Sequence, residues 1–277
     1  MKHYLSIIMA AIIFGSSGVF IKTLDLPVST ITFFRMAVPF ALMSLVFLFR
    51  KKTFPSINDK PMVLASCLNA IRLFFYFAGY AYGNISTTVI LLYTWPVFAT
   101  FWSCLFLGET LSLYRLGLFV TTFSGVALIT LNQTLSLTNQ KFIGAVFILL
   151  SAFIYSMTIV IFKKKSLRYD PLETLWFQNC IGSFAFFPFV VINRPFPLVW
   201  QSGLAVTYAF LIGVVGFGLF FSGLQKIDAS RASFLTYVEV VSGIIFGVVF
   251  FNETLSWNII AGGSLVLLSA LALSRKG

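Results

Sequence analysis

Residues 147–162 read FILLSAFIYSMTIVIF, and residues 240–251 read VVSGIIFGVVFF. In a bilayer every backbone N–H and C=O needs a partner within the protein, so only helices and closed barrels span it. A barrel strand alternates apolar and polar positions over about ten residues. Neither stretch alternates, so both read as helices. The same texture runs through all 277 residues, of which 59% are hydrophobic and 10% charged, with a mean hydropathy of +0.96. A soluble domain carries roughly a quarter charged residues. The chain is therefore expected to be an all-α integral membrane protein.

Ten segments have about the 20 residues that cross a bilayer as a helix. They lie near 4–23, 29–49, 61–81, 86–107, 113–131, 141–162, 173–192, 203–223, 232–251 and 256–274. The connections are short and punctuated by proline or charge, as in KKTFPSINDKP (51–61), KKKSLRYDP (163–171) and NRPFP (193–197). The opening MKHY precedes an apolar run without a clear cleavage site, so it reads as the first span and not as a secretory leader. With sides alternated, fourteen lysines and arginines fall on one face, among them Arg50 to Lys52, Lys163 to Lys165 and Arg275. Three (Lys22, Lys141 and Arg194) fall on the other. Cytoplasmic loops retain positive charge, so both termini are expected in the cytoplasm.

The net charge of +11 is thus a property of the cytoplasmic face and does not point to nucleic acid. Cys67, Cys104 and Cys180 sit inside apolar runs without metal-ligand spacing, and read as small core residues. His3 is the one histidine. No metal, no cofactor and no enzymatic activity are expected, because lipid chemistry would need a nucleophile–base pair or metal ligands within the membrane. No Walker A pattern is present, so ATP is not expected to drive the protein.

The chain repeats itself. GETLSL (108–113) returns as NETLSW (252–257), an offset of 144. At that offset GYAYGNISTTVILLYTWPV (79–97) faces GLQKIDASRASFLTYVEVV (223–241), matching Gly79 with Gly223, Ser86 with Ser230, Tyr93 with Tyr237 and Val97 with Val241. Residues 12–22 loosely parallel 153–163, each ending in lysine. Two halves follow, 1–132 and 133–277, with five spans each. An odd number of spans turns the second half over, so the two ETLS copies are expected on opposite membrane surfaces. That is an inverted-topology repeat, an arrangement suited to alternating access. Locally, Thr254 or Ser256 is expected to cap the next helix, with Glu253 favoured near a helix N-terminus.

Phe33-Phe34-Arg35, then PVFATFWSCLFLGE (96–109) and its echo YVEVVSGIIFGVVFFNE (237–253), resemble EamA-type members of the drug/metabolite transporter superfamily. The resemblance covers essentially the whole chain. It implies ten helices and a carrier of small metabolites, in a family that moves amino acids, other metabolites, nucleotide sugars and organic cations. Val240 departs from the pattern, standing where the family commonly has proline.

Charges deep in a bilayer normally face a cavity or a partner. Arg72 and Glu239 are such charges near mid-span, while Arg35, about two turns from the outer end, is placed where it could snorkel to the interface. Asn69, Arg72, Tyr76 and Tyr80 share one helical face. Trp95 is the counterpart of Glu239, beside Tyr93, and Tyr237 precedes Glu239. Tyr155, Trp176 and Gln178 complete the candidate substrate-binding residues. A structural reading pairs Arg72 or Arg35 with Glu239. The functional reading notes a positive excess suited to a carboxylate or phosphate, with aromatic rings to hold an apolar group or a cation. Gly243-x-x-x-Gly247 would let another helix approach closely.

The expected function is secondary active or facilitative transport of small metabolites, amino acids above all and by export. An organic-cation carrier built on Glu239 is the alternative. The bilayer and a small-molecule substrate are the expected partners, with protons or a counter-substrate as candidate coupling partners. A monomer suffices and a dimer is compatible. The plasma (inner) membrane is the expected location, as a multi-pass protein.

Overall fold

The computed structural model describes residues 2–51, 54, 58–107, 112–130, 138–165, 169, 171–192, 196–224 and 235–276. It is helical throughout, with no strand among those residues. The helices are α1 (Lys2–Gly15), α2 (Ser17–Leu24), α3 (Val28–Phe49), α4 (Lys60–Tyr82), α5 (Ile85–Leu92), α6 (Trp95–Leu107) and α7 (Leu113–Thr130). They continue as α8 (Gln140–Lys165), α9 (Pro171–Ile192), α10 (Val199–Phe210), α11 (Phe217–Leu224), α12 (Val238–Phe251) and α13 (Trp257–Lys276). A π-helical segment, Leu211–Gly216, joins α10 to α11.

Eight stretches among the described residues are long and apolar enough to cross a membrane. Three of them are compound. His3–Leu24 unites α1 and α2, Ile85–Trp102 unites α5 with most of α6, and Val199–Phe220 runs through the π segment. Val238–Phe251 and Trp257–Ala272 are shorter apolar helices. The expected ninth segment began at 232, and residues 225–234 lie outside the described part, as do Glu109 to Leu111 of the first ETLS copy.

Packing interleaves the first and second halves of the chain. Helix α4 lies along α8, α3 along α9 and α7 along α13. Helix α1 packs on both α11 and α12, while α5 is enclosed by α12, α8 and α13. Every residue of α5 is buried. Its first N–H groups therefore have no access to water, although a helix N-terminus leaves four such donors without intrahelical partners. The N-cap residue, Asn84, makes no side-chain cap bond.

The cap comes from 168 residues away. Glu253 accepts hydrogen bonds from the Ile85 amide (2.6 Å), the Ser86 amide (2.9 Å) and the Ser86 hydroxyl (2.8 Å). Lys22 pairs with the same carboxylate at 3.5 Å. Local backbone geometry aims it there. Asn252 ends α12 in the left-handed region (φ 50°, ψ 37°), which Asn and Gly tolerate best. The Glu253 amide then bonds back to the Gly247 carbonyl at 3.2 Å. Gly247 also makes room, since a Cβ there would lie 2.6 Å from Glu253 Oε2 and 2.9 Å from Ser86 Oγ. The helix that the Gly243–Gly247 face admits is thus α5.

This corrects the local reading of the motif. Neither Thr254 nor Ser256 caps α13 through its side chain among the described bonds. Ser112 of the first copy does cap α7, accepting from the Arg115 amide at 3.3 Å. A helix end exposed to solvent can use a serine. A helix end buried within the protein needs an acceptor delivered from elsewhere.

Replacing Glu253 by alanine strands two buried amides, each costing about 1–3 kcal/mol when unsatisfied. Glu253→Ala is therefore expected to lower the unfolding temperature of the detergent-solubilised protein well below that of Thr254→Ala. Equal melting of the two variants, followed by tryptophan fluorescence, would remove Glu253 from this role.

Candidate functional site

Two helix interruptions face each other near the middle of the bundle. One is the turn at Tyr93–Thr94 between α5 and α6, and the other is the turn at Tyr237 that precedes α12. Pro96 accompanies the first, while Val240 stands at the corresponding place in the second, so the second break forms without proline. The two tyrosine rings meet across the gap, tilted, at 5.0 Å. The Tyr93 hydroxyl lies 2.9 Å from Glu239 Oε2 and 2.7 Å from the Thr236 carbonyl, which the interrupted helix leaves available. Interrupted helices with free backbone groups are a common way for transporters to build a mid-membrane site.

Across from Glu239, Arg72 projects from α4. Its guanidinium lies over the Tyr155 ring at 4.2 Å, and Tyr155 meets the Trp95 ring edge-on at 5.5 Å. Arg72 Nε donates to Asn69 Oδ1 (3.1 Å), and Asn69 Nδ2 donates to the Gln178 carbonyl (3.1 Å). Asn69 therefore orients the arginine and ties α4 to α9. Ser151 Oγ donates to the Arg72 carbonyl at 2.9 Å. Arg72 and Glu239 are both half-buried.

Arg35 enters from α3. It is 6% exposed, and its guanidinium sits 5.7 Å over Phe217. Helix α3 is loosened at this point because Pro39 cannot donate to the Arg35 carbonyl. The π segment opposite supplies the space. A Cβ on Gly213 would lie 2.9 Å from Arg35 Nη1 and 2.5 Å from the Pro39 ring. Widened π turns recur at functional sites.

Tyr76 and Tyr80 meet edge to face at 4.9 Å. Both are buried, and the Tyr80 hydroxyl has no partner in hydrogen-bond geometry among the described residues. Beside them lie Ser17 and Tyr208, both buried and within electrostatic reach of the same groups.

Ten of the twelve sequence-derived candidates thus gather in one region. Two do not. Trp176 belongs to a separate apolar cluster with Met43, Phe47 and Phe177, and its indole N–H donates to Ser44 Oγ at 2.9 Å. Gln178 takes part through its main-chain carbonyl. Ion pairing of Glu239 with Arg72 or Arg35 is not found: among the described residues neither guanidinium has a carboxylate within ion-pair distance. Tyr208, Ser17 and Phe217 were not foreseen. They read as ordinary residues of apolar helices, and only the tertiary fold brings them to the arginines. Among the described residues no group of His, Cys, Asp and Glu could hold a metal ion.

The EamA-like transporter family matches residues 1–131 and again residues 142–275. An uncharacterized transporter of Archaeoglobus fulgidus is 25% identical over 274 residues, covering 98% of this chain and 96% of its own. The pseudopaline exporter CntI of Pseudomonas aeruginosa is 25% identical over 276 residues, covering 97% and 94%. A solved crystal structure of a protein superposes with a TM-score of 0.65 at 13% identity, covering 99% of this chain and 97% of that one.

A methyl group at Gly213 should force Pro39 and Arg35 apart. Overpacking of this kind costs about 1–3 kcal/mol. Gly213→Ala is expected to melt at a lower temperature than the parent protein. Gly218→Ala serves as the control, since a Cβ there meets nothing within 4 Å. Indistinguishable melting of the two variants would contradict the close approach.

Proposed function

The chain belongs to the EamA-like transporter family, and from that premise we propose that it carries small amphipathic metabolites with a carboxylate, amino acids foremost, by alternating access. The observation that carries this reading is Arg72. It is deep, partly accessible, stacked on Tyr155 and oriented by Asn69, without a carboxylate partner among the described residues. Its guanidinium has donors to spare for a planar acid group. Glu239, held by Tyr93 on the opposite side, suits an ammonium. The aromatic rings between them offer an apolar surface. The pseudopaline exporter among the relatives favours export.

The packing supports two inverted five-helix repeats. At the 144-residue offset α3 and α7 correspond to α9 and α13, and each packs against its own counterpart. Likewise α4 lies on α8 as α1 lies on α11, and α1 meets α12 as α8 meets α6. A pseudo-two-fold axis in the membrane plane would produce this exchange of partners. Both termini then lie in the cytoplasm, and Glu253, Lys22 and Ser86 sit together at the outer surface of the plasma membrane. Transport is secondary active or facilitative. An organic-cation carrier is disfavoured by the unpaired arginines, which leave the site with net positive charge.

Purified protein should be stabilised against heat by neutral amino acids, and Arg72→Ala should abolish that stabilisation. Glu239→Gln should weaken it about tenfold or more, the scale of one lost charge-assisted hydrogen bond. Stabilisation by choline-like cations that persists in Arg72→Ala would replace this reading with the cation carrier.

A further inference from the structure

Arg35 and Arg72 are unequal in their surroundings and alike in what they lack. Of the five N–H donors that a guanidinium carries, Arg72 uses its Nε–H on Asn69. Arg35 makes no hydrogen bond among the described residues, although the residue is only 6% exposed. Phe217 covers the face of the Arg35 group, and the backbone of Gly213 approaches its edge where a side chain would not fit. Arg35 and Arg72 lie within electrostatic reach of each other, and both of Tyr76 and Tyr208. Two like charges brought together in a bilayer repel and are poorly solvated. A single carboxylate on Arg72 answers one of them and leaves the other as it was.

Resting on the amino-acid reading above, we propose that the preferred substrate carries two acidic groups and one cationic amine. The first carboxylate lies on Arg72 and the second on Arg35, while the amine faces Glu239 and Tyr93. Planar carboxylates match the fork of a guanidinium in pairs of parallel hydrogen bonds. An amino acid whose nitrogen or side chain bears a second carboxylate has this outline. A plain dicarboxylate lacks the group for Glu239, and a neutral amino acid leaves Arg35 unanswered.

Binding to the purified full-length protein, measured by calorimetry, tests this with leucine, N-carboxymethyl-leucine, glutamate and succinate. N-carboxymethyl-leucine is expected to bind at least about tenfold more tightly than leucine, one charge-assisted pair being worth that much or more. Succinate is expected to bind more weakly than glutamate. In Arg35→Gln the ratio between N-carboxymethyl-leucine and leucine should collapse towards one, and Arg35→Lys should restore part of it. A second carboxylate that brings no gain in the parent protein, or a ratio unchanged in Arg35→Gln, would overturn the inference while leucine binding left the amino-acid reading standing. Absence of binding by every acid would overturn both. Should Arg35→Gln fail to fold, the four-ligand series on the parent protein still decides.

Discussion

A helix with no exposed residue sits at the centre of this protein, and the first residues of its N-terminus are buried. That end of α5 is the constraint from which much of the rest follows. Its amides need an acceptor, and the one supplied is a carboxylate from the far end of the sequence, itself balanced by Lys22. The arrangement requires α12 to stop at a residue able to turn left-handed, with a glutamate next, and a glycine one turn earlier for clearance. Asn252, Glu253 and Gly247 meet those requirements. Once α5 is anchored in this way, its other end carries Tyr93 to the place where Glu239 can accept from it.

The broad architecture was legible because lipid imposes a simple grammar of long apolar helices with charge at their ends. Most expected segment boundaries fall within a few residues of the helices. The role of Glu253 was not legible, since a capping interaction between distant parts of the chain leaves no local spacing. The break at Tyr237 was also hidden, because Val240 gives none of the warning that Pro96 gives. Arg72, Glu239 and Tyr155 could be picked out as charges and rings at unusual depth. Tyr208 and Ser17 could not, since tyrosine and serine are unremarkable in a membrane helix until the fold sets them beside an arginine. Trp176 shows the converse. It shared the chemistry of the site and the helix register allowed it, yet α3 captured it through Ser44 and Phe40.

Under the proposed repeat the scaffold is symmetric and the chemistry is not. At the 144-residue offset Arg72 falls on Gly216 and Glu239 falls on Trp95. One copy of each position keeps the charge and the other contributes clearance or an aromatic surface. A substrate with distinct acidic and basic ends would then be held in one orientation, whichever side of the membrane it came from.

The three deep charges have an electrical consequence. With Glu239 ionised, Arg35, Arg72 and Glu239 sum to one positive charge, and under the proposed alternating access that charge would meet the membrane field from each side in turn. Each elementary charge crossing 100 mV is worth about 2.3 kcal/mol, so the resting potential would favour one orientation of the empty carrier. A substrate of net charge −1 cancels that preference, and one of net charge zero does not. Turnover on a planar lipid film would then report the charge of the cargo as a transient current, present for the unloaded return step and absent when an anionic amino compound is aboard.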